Sequence, residues 1–393
     1  MSEPIFPAVA ALSVRQYDRA VILDALREGA RLLGFAPDRF AGKKVVLKPN
    51  LVAAMAPENA ATTHPAFLAA AVDFLREYGA TDLFVAESPG GIYSEAALRR
   101  IYKACGILDM AEKLNLPLNY GTDAVNVSAP GAETCRSFHI LRPIAEADVI
   151  VDLCRLKSHS LTRYSGAVKN FFGVIPGVEK FEMHSAYPTV PVFAKMVVDL
   201  GQMLCDAHEV LALGDGIVAM EGNGPTGGTP REIGAVLMSE SPFALDAAAE
   251  EILGFAGTVV IAEEARRRGL CPAVGQTEIR GTPLSAFTVT DFREPDTSGG
   301  KLGSRILRSL PTLFGGRLAS FFSPRPQIDR QKCVGCGVCV QSCPRHTIEI
   351  RQTTRGRQAV IDDGGCIRCY CCQELCPLHA VNIKQNPLIT LLH

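Results

Sequence analysis

From the amino terminus to about residue 290, short apolar runs alternate with amphipathic stretches. Lys43–Lys48 (KKVVLK), Asp82–Glu87 (DLFVAE), Asp148–Leu153 (DVIVDL), Val210–Leu213 and Ala235–Met238 are predicted strands. Pro65–Tyr78, Ser94–Lys103, Pro191–Cys205 and Leu245–Leu253 place apolar residues at helical spacing. Strands separated by helices of about 10–15 residues predict an α/β fold, with a mostly parallel sheet covered on both faces. In such a sheet, ligands gather in the loops beyond the carboxyl ends of the strands.

The pattern breaks near residue 293. Pro, Gly and Ser become frequent, and residues 301–325 hold Lys301, Arg305, Arg308, Arg317 and Arg325 without an acidic residue. Leu302, Ile306, Leu310, Leu313 and Phe314 can share a helical face, although Pro311 interrupts it. The expectation is an α/β domain over 1–292 and a basic linker over 293–326 that packs its apolar side on the main domain. A small α+β domain then occupies 327–386.

Composition narrows the function classes. Hydrophobic residues make up 47% and charged residues 21%, enough for a packed core. A formal charge of −1 argues against polybasic nucleic-acid binding. The start, MSEPIFPAVAAL, lacks the basic and apolar regions of a signal peptide, and no apolar run approaches the ~20 residues of a membrane span. A cytoplasmic protein without an integral membrane span is expected.

Of 14 cysteines, nine fall between Cys333 and Cys376, which excludes a disulfide-stapled secreted scaffold. They form a repeat. Cys333-Val-Gly-Cys336-Gly-Val-Cys339-Val-Gln-Ser-Cys343-Pro344 returns 33 residues later as Cys366-Ile-Arg-Cys369-Tyr-Cys371-Cys372-Gln-Glu-Leu-Cys376-Pro377. Three closely spaced thiolates wrap one four-iron cluster, and the fourth, before Pro, crosses to the other cluster. Cys333, Cys336, Cys339 and Cys376 are therefore expected to hold one 4Fe-4S cluster, and Cys366, Cys369, Cys372 and Cys343 a second. Zinc is the competing reading of a bare C-x2-C, but the duplicated four-cysteine run argues against it. Cys371 stands outside the pattern. Residues 326–385 resemble the bacterial two-cluster ferredoxins at every ligand position.

The densest polar stretch follows the Asp148–Leu153 strand: Arg155, Lys157, His159, Arg163, Tyr164, Lys169 and Asn170, with Lys180 and His184 beyond. Lys157 and His159, two residues apart, point the same way if the chain is extended. Lys157, His159, Lys169 and His184 are candidate catalytic residues, suited to holding an anion and delivering protons. Asn170 and the glycines of Gly222-Asn-Gly224-Pro-Thr-Gly227 are candidate cofactor-binding residues. That run fits G-x-G-x-x-G by letter but does not open a helix, so it is not a dinucleotide fingerprint. Its backbone N–H groups suit an anion, and the alternative is a turn requiring positive φ. Lys48-Pro-Asn50, Glu87-Ser88 and His64, the last also a natural N-cap, are weaker candidates. Cys105, Cys135, Cys154, Cys205 and Cys271 are expected to be core residues. No P-loop is present.

Lys48-Pro-Asn50, Thr63-His64-Pro65, Lys157-Ser-His159, Thr162 to Asn170, and Gly214-Asp215-Gly to Pro225 resemble a prokaryotic iron–sulfur centre protein family that carries a domain of unknown function. The resemblance covers about residues 40–290. It implies an α/β fold coupled to a two-cluster ferredoxin tail and no particular substrate.

Two functions from different classes remain at this point. One is a reductase that draws electrons from a ferredoxin or other low-potential donor and passes them to an anionic small molecule or a bound organic cofactor, with a flavin compatible but not demanded. The other is a non-catalytic electron-transfer or cofactor-assembly module that docks a redox partner. Redox sensing is a third, without the DNA-binding element it would need.

Overall fold

The computed structural model describes residues 6–298 and 324–385. The α/β portion contains strands β1 (Val9–Ser13), β2 (Lys44–Pro49), β3 (Asp82–Val85), β4 (Ala124–Ser128), β5 (Ser137–Leu141), β6 (Val149–His159), β7 (Arg163–Ser165), β8 (Glu209–Glu221), β9 (Thr229–Ser239) and β10 (Ile279–Gly281). Eight of them form one sheet of order β10-β1-β9-β8-β6-β2-β3, with β7 added on the end of β6; β4 and β5 form a separate hairpin. β3, β2, β6 and β8 run parallel, while β9 is antiparallel to both β8 and β1. The mostly parallel mixed sheet is the α/β fold expected.

Strand alternation sends side chains to two cores. Val46, Ile150 and Ala212 pack with helices Val190–Ala207 and Pro242–Ile252 on one face. Val45, Val151 and Leu213 pack with helices Arg19–Leu33 and Pro65–Glu77 on the other. His64 caps the latter helix, its Nδ1 accepting from the Ala66 N–H at 3.2 Å, which is the structural role anticipated for it. Cys105, Cys135, Cys154 and Cys271 are buried, and Cys205 is partly so.

Two strands run longer than their apolar cores. β6 continues through His159 with all eleven residues buried, and β8 continues through Glu221. The polar stretch after Leu153 is thus the end of a strand rather than a loop. It is sheltered by β7, which pairs Ser165 with Lys157 and Arg163 with His159.

The carboxyl-terminal portion contains two antiparallel pairs, β11 (Arg325–Ile328) with β14 (Val381–Lys384) and β12 (Ile348–Thr353) with β13 (Gly356–Ile361). Short helices Val338–Gln341 and Cys371–Glu374 lie at the same place in the 33-residue repeat. Their caps, Gly337 and Tyr370, both have positive φ, as do His346 and His379. The internal repeat is therefore also a repeat of backbone conformation. Most of the expected linker, residues 299–323 with the helical face of Leu302 to Phe314, lies outside the described residues. No helix among the described residues is long and apolar enough to cross a membrane.

Candidate functional site

The carboxyl ends of β2, β3 and β6 open on one cavity of about 620 Å3, counting its mouth. Asn50 follows β2, and Glu87 and Ser88 follow β3. Lys157 and His159 project from β6, on the shared side that extended backbone predicts. Helix Ala167–Asn170 brings Lys169 and Asn170, and helix Glu179–Ala186 brings Lys180 and His184. The four candidate catalytic residues and Asn170 therefore meet in one place. So do Lys180, Glu87 and Asn50, which the sequence marked less strongly.

A hydrogen-bonded frame holds these groups. Lys157 Nζ donates to Asn50 Oδ1 at 2.9 Å and to the Ala61 carbonyl at 2.6 Å. Asn50 Nδ2 donates to Asn170 Oδ1 at 2.9 Å, and Asn170 Nδ2 to Asp152 Oδ1 at 2.5 Å. Lys48 pairs with Glu87 in full burial. Gly173 leaves room for that pair, since a Cβ there would stand 2.3 Å from Glu87 Oε1 and 2.7 Å from Lys48 Nζ. Lys180 Nζ is caged by the Ser88 and Ile175 carbonyls, at 2.6 and 2.5 Å, and by Ser88 Oγ at 3.0 Å.

Burial sets the proton affinities. It brings the Lys157 and Lys180 ammoniums down to about 7, against hydrogen bonds that favour the charged form. Desolvation, followed by the Lys169 charge, pushes His184 down to about 3 and His159 well below its ordinary value. His159 Nδ1 accepts from the Leu161 N–H at 3.0 Å, so the neutral ring carries its proton on Nε2. Lys169 differs from its neighbours. Among the described residues its ammonium makes no hydrogen bond or ion pair, and it stands 4.5 Å from the Phe172 ring. The cavity thus presents hydrogen-bond donors and one ammonium held only by aromatic rings among the described residues, a set that suits an anionic oxygen ligand.

The far wall comes from the carboxyl-terminal portion: Cys371, Glu374 and Leu375 line the same cavity. Burial raises the Glu374 carboxyl, and Lys169, Lys157 and Lys180 oppose that shift. The loop after β8 clasps this wall. Thr226 Oγ1 donates to the Glu374 carbonyl at 2.7 Å, and Gln373 Nε2 donates to the Asn223 carbonyl at 2.9 Å. Leu375 packs over Gly90, where an added Cβ would stand 3.1 Å from Leu375 Cδ2. Gly222 and Gly224, the candidate cofactor-binding glycines, do not line this cavity, although Pro225 of the same loop does. Gly222 has φ +81°. The Gly224 carbonyl accepts from Ser160 N and Oγ at 2.9 and 2.8 Å, binding the loop to the protein's own backbone.

The cysteines fall into two groups. Cys333, Cys336, Cys339 and Cys376 line one cavity, in which every lining residue belongs to the carboxyl-terminal portion. Cys343, Cys366, Cys369 and Cys372 line another. Backbone N–H groups point at sulfur in both: Ala359 N at 3.4 Å from Cys333 Sγ, Ala380 N at 3.2 Å from Cys376 Sγ, and Thr347 N at 3.4 Å from Cys343 Sγ. Four soft donors with N–H support around each cavity fit a 4Fe-4S group. Cys371 lines the second of these cavities as well as the basic one, so the two cavities share this residue.

The family described as "Domain of unknown function (DUF362)" matches residues 45–251, more than half of the chain. The chain belongs to this family. In this DUF362 chain, residues 325–377 match the 4Fe-4S dicluster domain, an iron–sulfur, electron-transfer module. The chain is also 29% identical over 298 residues to the Thylakoid-associated protein sll1697 of Synechocystis sp. (strain ATCC 27184 / PCC 6803 / Kazusa), a match spanning 74% of this chain and 88% of that protein. The DUF362 match contains Lys48, Asn50, Glu87, Lys157, His159, Lys169, Lys180 and His184, whereas Cys371 and Glu374 lie in the dicluster match. The site is therefore composite. No motif marks Glu374 or Leu375; the one signal is that the 33-residue repeat diverges there, with Gln341 and Ser342 at the matching positions.

Proposed function

We propose that the chain is an iron–sulfur oxidoreductase that reduces an anionic small molecule bound among Lys157, His159, Lys169 and His184. The observation that carries this reading is the position of Cys371, shared between the inner cysteine cavity and the basic cavity. Cys333, Cys336, Cys339 and Cys376 would hold an outer 4Fe-4S cluster, and Cys343, Cys366, Cys369 and Cys372 an inner one. When bound, such groups supply single electrons at potentials that can be very low.

The remaining chemistry belongs to the side chains. Lys169, which lies over the Phe172 ring and makes no hydrogen bond or ion pair among the described residues, would pair with the ligand's anionic group, and Lys157 would support it. His159 would present Nε2–H to the ligand as a neutral hydrogen-bond donor, and the Lys157 ammonium, brought by burial to about 7, would give up a proton as the ligand gains electrons. Leu375, Phe172 and Phe181 would exclude water and so strengthen these interactions.

The test is anaerobic. The reduced full-length protein is mixed with fractionated metabolites, and reoxidation is followed by visible absorbance. The expected result is an anionic compound that reoxidises the wild type and fails to do so, or does so at least tenfold more slowly, with Lys169→Gln. If no fraction reoxidises the protein, or if Lys169→Gln and His159→Gln match the wild type, the reading is wrong.

A further inference from the structure

Electrons must enter somewhere, and the two cysteine cavities differ in what surrounds them. The inner one abuts the basic pocket through Cys371. The outer one faces solvent: Cys336 is exposed, and Val334 and Leu378, both on its wall, are 64% and 44% exposed. Beside Cys333 and Val334 lies a shallow depression lined by Arg330, Arg355 and Arg357 with Gln331 and Gln358, and no acidic residue lines it. Among the described residues these three guanidiniums form no ion pair. In a chain whose formal charge is −1, such a set of unpaired cations around exposed apolar side chains is a local feature.

The hairpin β12–β13 holds the arrangement in place. A Cβ on Gly335 would stand 2.6 Å from the Arg357 carbonyl, so the cysteine loop lies directly against the hairpin backbone. Gln358 Nε2 donates to the Arg330 carbonyl at 2.6 Å, and Ala359 N to Cys333 Sγ at 3.4 Å. The backbone that carries Arg330 and Arg357 is therefore held against the cysteine loop. An apolar centre with a charged rim is the build of a transient protein-docking face, in which the rim steers encounter and the centre supplies contact.

We propose that this face, centred on Val334 and Leu378 and rimmed by Arg330, Arg355 and Arg357, docks an acidic one-electron carrier protein. In the docked complex the carrier is oxidised by one electron and the group held by Cys333, Cys336, Cys339 and Cys376 is reduced by one, with no bond made or broken. The inference rests on the electron-transfer reading above, and it adds where the donor binds and the sign of the donor's charge.

The experiment uses the full-length protein, purified anaerobically, with an oxidised acidic bacterial ferredoxin as the probe. Iron content and reducibility by a small-molecule reductant are measured first, so loss of the clusters is recognised separately from loss of docking. Affinity is then measured by titration calorimetry at low and at 0.2 M salt. The wild type is expected to bind more weakly as salt rises. The double variant Arg355→Glu/Arg357→Glu should bind at least tenfold more weakly and lose most of that salt dependence, and Val334→Asp should also weaken binding. Arg136→Glu, an exposed reversal on the α/β portion, should stay within twofold of wild type. An iron-replete wild type that does not bind the ferredoxin, or a double variant within twofold of it, would overturn the assignment.

Discussion

Replacing Gly224 by alanine should release the carboxyl-terminal portion from the α/β domain without unfolding either. A Cβ on Gly224 would stand 2.0 Å from the Ser158 carbonyl oxygen and 2.9 Å from its carbon, both backbone atoms of β6. Ordinary contacts begin near 3.5 Å, so the loop must retreat by about 1.5 Å. That retreat breaks the two bonds from Ser160 to the Gly224 carbonyl, at 2.9 and 2.8 Å. It also carries Asn223 and Thr226 away from Gln373 and Glu374, now at 2.9 and 2.7 Å. At about 1 kcal/mol net per hydrogen bond, losing the two inter-domain bonds costs about 2 kcal/mol, or about 30-fold in the undocked population. Gly222→Ala is the contrast. Its φ of +81° makes alanine strained, but nothing lies within 4 Å of the added Cβ, so about 1 kcal/mol is lost and docking persists. Amide hydrogen exchange over residues 370–376, measured by mass spectrometry on the iron-loaded protein, reads the difference. Faster exchange in Gly224→Ala alone is expected. Unchanged exchange in that variant, or equal acceleration in both, would refute the steric argument.

Three further outcomes follow from the same geometry. Cys371→Ser should keep the full iron content of the wild type, whereas Cys372→Ser should lose about half; iron assay and visible absorbance settle it, and an equal loss in both would place Cys371 among the ligands. Because burial brings Lys157 and Lys180 to about 7, both ammoniums lose their protons as pH rises through neutrality. Sulfate, used as a probe anion, should therefore bind the cavity more weakly at pH 8.5 than at pH 6, and a flat calorimetric profile would contradict the assignment. Finally, Asp199 is buried and accepts from the N–H groups of Glu133, Thr134 and Cys135, at 2.9, 2.9 and 2.8 Å, and from Arg268 at 2.5 Å. Asp199→Ala leaves three backbone donors without their acceptor and takes one partner from Arg268, which keeps Glu264 and the Lys195 carbonyl, at a cost of about 3–5 kcal/mol at roughly 1 kcal/mol or more per lost bond. The thermal midpoint should fall by about 10 °C, and a drop below about 3 °C would show that the network relaxes.

The apolar runs located β2, β3, the core of β6 and the principal helices because each buries a continuous face, and burial is what hydrophobic patterning records. Strand ends were harder to read. Arg155, Lys157 and His159 look like a loop in composition, yet β7 and the neighbouring strands supply their hydrogen bonds and bury them. β1 and the hairpin of β4 and β5 are not among the predicted strands. The cysteine partition was visible because cluster chemistry imposes spacing on the chain itself. The glycine run has two physical readings. A close backbone approach demands glycine whether the neighbour is a ligand or, as for Gly224 against Ser158, the protein itself.

One asymmetry in the repeat does mark the inward face. Offsetting the sequence by 33 residues aligns the helix Val338–Gln341 with Cys371–Glu374. Val338 becomes Cys371, Val340 becomes Gln373, and Gln341 becomes Glu374, while every cysteine of the four-residue pattern is retained. A helix that only had to cover its own cysteines would have no use for those changes. Each altered residue faces the α/β portion: Cys371 and Glu374 line the basic cavity, and Gln373 bonds to Asn223. The first half instead has the exposed Val334 and Cys336 beside three arginines that form no ion pair among the described residues. A duplicated unit has no intrinsic direction. Direction arises where the copies diverge, with one half shaped for the pocket and the other left open to a partner.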